Sequence, residues 1–146
     1  MRLLSAIDTS SSGMTAQRLR MDVIASNLAN INTTRTEAGG PYRRQLVIFE
    51  ARNPRSGHSF KDVLGQQLEG GAGVRVKKII EDQAPFKRVF DPAHPDAGDD
   101  GYVNMPNVNV VAEMVDMISA TRAYEANVTA LDATKGMALK ALEIGR

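Results

Sequence analysis

The stretch VNVVAEMVDMISATRAYEANVTALDATKGMALKALEI, residues 108–144, decides the fold. Within it Val110, Met117, Tyr124, Leu131 and Ala138 recur every seven residues. Met114, Val128 and Leu142 lie on the adjoining row, with Thr121 and Lys135 as polar interruptions. A seven-residue apolar repeat marks a helix that packs along its length against other helices. Asn107 or Asn109 can cap its start, Glu113 suits the positive end of the helix dipole, and Gly145 supplies a stop. Gly136 costs about 1 kcal/mol relative to Ala inside such a helix.

The other end of the chain repeats the pattern. Ile7, Met14, Met21 and Leu28 recur every seven residues, and Leu3, Ile24 and Ile31 mark a companion seam broken by Ser10 and Gln17. This predicts a second long helix over about residues 3–31. Its weak point is Thr9-Ser10-Ser11-Ser12-Gly13, a run of poor helix formers in which Ser12 can cap a helix that starts late. Asn27, Asn30 and Asn32 crowd the far end, where the helix is expected to unwind. A buried Asn in a helix seam fixes register, so these three are candidates for tying neighbouring subunits or the turn into the next region.

Between the helices the period changes to two. Residues 44–49, 74–80, 86–90 and 101–105 read as four short strands, the second with Val74, Val76 and Lys78 in one register. Residues 51–73 are long, weakly patterned and rich in Gly, and read as a mobile loop; residues 91–100 form a second polar loop. The expected fold class is therefore α+β, with long N- and C-terminal helices forming a coiled-coil-like pair and a small β-rich insert between them. The expected divisions are residues 1–35, 36–106 and 107–146. Periodicity alone leaves two arrangements open: a helical hairpin within one chain, or helices packed on neighbours as the wall of an assembly.

Composition narrows the function. The chain of 146 residues has no Cys or Trp and 5% aromatics, so its helix seams rest on Ala, Val, Leu, Ile and Met. No apolar run approaches the roughly 18 residues that span a bilayer, and the first residues lack the apolar stretch of a cleaved signal peptide. A net charge of +1 argues against general nucleic-acid binding. Residues 1–90 carry net +6 and residues 91–146 net −5, a division that allows copies to attract head to tail. His58 and His94 are the only histidines, and no metal, phosphate-loop, calcium-loop or nucleophile motif is present. No cofactor is expected. Glycan hydrolysis would need two carboxylates flanking a cleft, whereas the acids here fall in loops and helix patterns.

Three stretches resemble the flagellar axial proteins, the family of rod, hook and hook-associated subunits. They are residues 25–34, ASNLANINTT; residues 107–118, NVNVVAEMVDMI; and residues 121–127, TRAYEAN. GYVNMPNVNV at 101–110 and EDQAPF at 81–86, in a short insert, are similar to the proximal-rod subgroup. The resemblance implies a non-enzymatic structural subunit whose terminal helices order on assembly into a tube crossing the periplasm. It implies export through the flagellar type III apparatus without a cleaved signal peptide. The implied partners are other copies of the chain, other rod subunits, the rod–membrane-ring adaptor and the export apparatus. The subunit contacts expected are Ile7, Met14, Met21, Ile24, Asn27, Leu28, Asn30 and Asn32 at one end. At the other they are Val110, Met114, Met117, Tyr124, Val128, Leu131 and Leu142. A secreted coiled-coil adaptor that binds one partner without polymerising is the alternative.

Overall fold

The computed structural model describes residues 2–37, 39–52 and 73–145. Helix α1 spans Arg2–Ala29 and helix α2 spans Val110–Ile144. Four strands lie between them: β1 Gln45–Ala51, β2 Val74–Glu81, β3 Lys87–Phe90 and β4 Tyr102–Met105. The expected α+β class, two long terminal helices around a small β-rich insert, is the observed one. The strands form two separate two-stranded sheets, β1–β2 and β3–β4. In the second, Lys87 pairs with Met105 and Phe90 with Tyr102, antiparallel. The first closes at both ends through backbone bonds, Arg52 N–H to Gly73 and Asp82 N–H to Arg44. The 51–73 loop lies almost wholly outside the described residues.

α1 does not start late. It runs unbroken through Thr9–Gly13, because the hydroxyls there serve the helix. Thr9 donates to the Ser5 carbonyl at 2.8 Å, Ser12 to Thr9 at 2.7 Å and Thr15 to Ser11 at 3.0 Å. Ser12 Oγ also accepts the Val74 N–H at 3.1 Å, so the serine anchors the start of β2 instead of capping a helix. The neighbouring Gly73 has a positive φ, and a Cβ there would fall 2.2 Å from Ser12 Oγ. Glycine is the one residue that suits both constraints.

The chain divides into two compact units. The first comprises Met1–Leu19, Ile48–Lys78 and Ala120–Arg146; the second comprises Arg20–Val47 and Ile79–Ser119. In the first, the buried positions are small: Gly13 and Ala16 on α1, Ala120 and Thr134 on α2. Gly13 sits against Asn127, whose side-chain oxygen lies 2.8 Å from where a Cβ would be. In the second, Val23, Ile24 and Asn27 of α1 are buried together with Glu113 of α2 and with Val103 and Pro106 of the insert. There α1 and α2 run antiparallel, as Asn27–Glu113 and Arg20–Asp116 contacts show.

Along α2 the buried residues Glu113, Ala120 and Thr134, with half-buried Asn127, form a single row spaced by seven. The heptad repeat is thus real, but the row turned toward the rest of the chain is small and polar. The large apolar row expected at the seam lies beside it.

Candidate functional site

Two features stand out: a polar cluster that joins the insert to both helices, and the apolar surface the helices leave uncovered. The cluster belongs to the second unit. Glu113 is 1% exposed, and its carboxylate is held from two sides. Arg44 Nε donates to Glu113 Oε1, and Asn27 Nδ2 donates to Oε2 at 3.0 Å. The Arg44 guanidinium also reaches Asp116 at 3.2 Å and Asp82 at 3.8 Å, and Arg20 adds a second contact to Asp116 at 3.3 Å. Such a buried charge persists only when paired and hydrogen-bonded, and this one is both.

Asn27, also 1% exposed, uses its whole amide. Beyond Glu113, its Nδ2 donates to the Gln45 carbonyl at 2.9 Å, and its Oδ1 accepts the Gln45 N–H at 2.9 Å and the Tyr42 hydroxyl at 3.0 Å. It therefore pairs with the first residue of β1 as a neighbouring strand would. Asn107 acts likewise from the other side: its Oδ1 accepts the Arg44 N–H at 2.8 Å, and its Nδ2 donates to the Asp82 and Ala84 carbonyls. The helix cap falls to Asn109, which accepts the Val111 and Ala112 N–H groups. Of the three Asn residues at the end of α1, Asn27 ties the helix into the insert. Asn30 bonds back to the Ser26 carbonyl and accepts from Thr33, making the helix exit, and Asn32 is exposed.

The remaining expected contact residues lie as follows. Ile24 is buried, and Ile7, Met14, Met21 and Leu28 are half-buried along one edge of α1. Met117, Tyr124, Val128 and Leu131 are half-buried along α2, whereas Val110, Met114 and Leu142 are exposed. Sequence reasoning passed over Arg44, Asp116 and Tyr42, which complete the polar cluster. It also passed over Val111, Val115 and Ile118, which widen the exposed apolar surface at the start of α2. The spacing 111, 115, 118 was a readable signal for that face; nothing local marked Arg44.

No catalytic grouping emerges among the described residues. An open cavity of about 630 Å³ is lined by Thr34, Arg35, Arg88, Asp96, Asp100 and Tyr102 among others, but its polar groups largely bond one another. Thr34 donates to Asp96, and Arg88 pairs with Asp100 while stacking on Tyr102. His94 accepts the Asp96 N–H and so shapes its own turn. No group of three or more His, Cys, Asp or Glu is placed to hold a metal, and no helix is long and apolar enough to cross a membrane, again among the described residues.

A paired-helix body with unspent apolar surface is the build of an assembly subunit. Comparison with known proteins makes this specific. Residues 7–35 match the flagella basal body rod protein family, and residues 99–144 match the flagellar basal body rod FlgEFG protein C-terminal family. The chain is 50% identical to the flagellar basal-body rod protein FlgC of Bacillus subtilis, over the full length of both. It is 54% identical to that of Borreliella burgdorferi over 99% of this chain and 98% of the relative, and 42% identical to that of Salmonella typhimurium over the full length of both. The chain belongs to the FlgC family of flagellar basal-body rod proteins, structural subunits of the rod.

Proposed function

We propose that the chain builds the proximal rod, assembling through its terminal helices into the drive shaft that transmits torque across the periplasm. The observation that carries this reading is the inverted character of α2. Its row facing the chain is Glu113, Ala120, Asn127 and Thr134, while Met114, Val115, Ile118 and Leu142 are exposed. Clustered exposed apolar residues of this size mark contact surfaces. The expected contact residues Met14, Met21, Met117, Tyr124 and Val128, all half-buried, join the contacts between subunits. The partners are other copies of the chain, other rod subunits and the rod–membrane-ring adaptor. The chain leaves the cytoplasm through the flagellar type III export apparatus and performs no catalysis.

Complementation of motility tests this in a strain lacking the native protein, with secretion followed in parallel. Met117→Asp and Tyr124→Asp would force a charge into a contact that excludes water, at a cost of several kcal/mol. Both should be secreted yet fail to restore swimming, whereas Asp132→Asn and Glu143→Gln should swim normally. Normal swimming by both Asp variants would show that these helix faces are free in the rod.

A further inference from the structure

The open cavity beside the β3–β4 sheet lies wholly within the second compact unit. One wall is the segment that leaves α1, with Thr34, Arg35, Gly40 and Pro41; the other is β4 and the loop before it. Tyr102, Val103 and Asn104 line it in succession, although alternate side chains of a strand point to opposite faces and Val103 is 2% exposed. The cavity therefore meets β4 along its backbone edge. The strand register fixes what that edge offers. Asp91 N–H donates to the Gly101 carbonyl at 3.0 Å, one step beyond the Phe90–Tyr102 pair. Bonded and non-bonded pairs alternate along an antiparallel ladder, so Tyr102 and Asn104 turn their N–H and C=O groups away from β3. At Tyr102 both groups are spent: its N–H donates to Asp100 Oδ1 at 3.3 Å, and its carbonyl accepts the Gly98 N–H at 3.0 Å. At Asn104 neither group has a partner among the described residues.

The side chains of the cavity divide the same way. Asp96 accepts from Thr34, and Arg88 pairs with Asp100. Arg35, on the wall facing β4, has no partner among the described residues. A strand edge with free N–H and C=O groups recognises an extended main chain, and a guanidinium takes a carboxylate through paired N–H donors. The volume, about 630 Å³, is in the usual range of ligand pockets, about 300–1,000 Å³. We propose that this cavity binds an extended peptide segment of another protein, its main chain paired on Asn104 and an acidic side chain held by Arg35. The site shares no residue with the exposed apolar row of α2.

The test is a titration of the full, isotope-labelled chain with an acetylated and amidated peptide of alternating Val and Glu, followed by NMR. Signals of the Asn104 amide and the Arg35 side chain should shift together and saturate. Replacing Glu by Gln in the peptide, or Arg35→Gln in the chain, should each weaken binding about tenfold, since both remove a charge-assisted bond. Asn104→Pro removes only a donor that points away from β3, a place where a strand tolerates proline, and should weaken binding several-fold. Asn104→Ala keeps that donor and should bind normally. No saturable shift at Arg35 and Asn104, or unchanged affinity after either Gln replacement, would overturn the proposal. Shifts confined to Val111, Met114, Val115 and Ile118 would overturn it by placing the peptide on the apolar row of α2. Equal shifts with free glutamate would do so in favour of a small carboxylate ligand, and equal losses in Asn104→Ala and Asn104→Pro would remove the main-chain pairing. If Asn104→Pro does not fold, hydrogen exchange decides: the Asn104 amide of the unmodified chain should exchange several-fold more slowly with peptide bound, and an unchanged rate would sink the pairing.

Discussion

The inner and outer rows of α2 make an instructive contrast. The inner row, turned toward the rest of the chain, carries a buried carboxylate, an alanine, an asparagine and a threonine. The outer row carries Val111, Met114, Val115 and Ile118, all exposed. In a self-contained domain the assignments would be reversed, since burial of large apolar side chains is the main favourable term in folding. Along α2 the fold closes on small residues and specific hydrogen bonds, and the larger apolar side chains of that helix stay exposed or half-buried. Substitutions on the two rows should therefore fail in different ways.

The largest effect is expected at the polar cluster. Arg44→Met removes the cation that faces Glu113 and leaves a carboxylate at 1% exposure with Asn27 as its remaining described partner. Breaking a buried pair from one side costs about 3–5 kcal/mol. Denaturant unfolding of the purified chain should show a loss of that order; a loss below about 1 kcal/mol, the size of an exposed ion pair, would mean that the pair is solvent-screened. Next comes Ala120→Leu, at a position with 0% exposure. Overpacking a close contact costs about 1–3 kcal/mol, read as a lower unfolding midpoint. An unchanged midpoint would show that the inner row has room to spare.

Gly13→Ala should do less. The new methyl meets Asn127 Oδ1, a movable side-chain end, and replacing Gly within a helix returns about 1 kcal/mol. In an Asn127→Ala background the clash is gone, so Gly13→Ala should then stabilise by about 0.5–1 kcal/mol. A double-mutant cycle measures the difference, and additive effects would refute the contact. The smallest stability change belongs to Val115→Asp on the outer row. Exposed by 60%, it should shift monomer stability by no more than about 0.5 kcal/mol. The same variant should abolish swimming. If it unfolds the monomer, the outer row has a role in the fold and the contrast between the rows collapses.

Local pattern carried much of the architecture. The four strands begin within a residue of the apolar alternations that announce them, and both helices occupy the heptad stretches. The error at Thr9–Ser12 came from weighing propensity alone, when side-chain bonds to the preceding turn and to Val74 hold the helix in register. The row buried within the chain was harder to read than the apolar seam beside it. A search for seven-residue repeats of large apolar residues passes over Glu113, Ala120, Asn127 and Thr134, although they keep the same spacing. The polar cluster was the least legible part. Asn27 and Glu113 stand 86 positions apart, and Arg44 reaches Asp116 across 72. Nothing in the neighbourhood of any one of them announces the others.

Asn27 and Asn107 grip two consecutive backbone amides, those of Gln45 and Arg44. For a subunit under torsion, this grip is a question of load. Side-chain tips bend and swing through rotamers, so a joint made of them yields before it transmits. A joint that passes from an amide side chain directly into the peptide backbone at the start of β1 has far less slack. Twist applied to the helices would reach the sheet as displacement of the main chain. The joint is stiff where the ends of the two helices meet the start of β1, and a shaft whose joints are stiff winds up little before it turns.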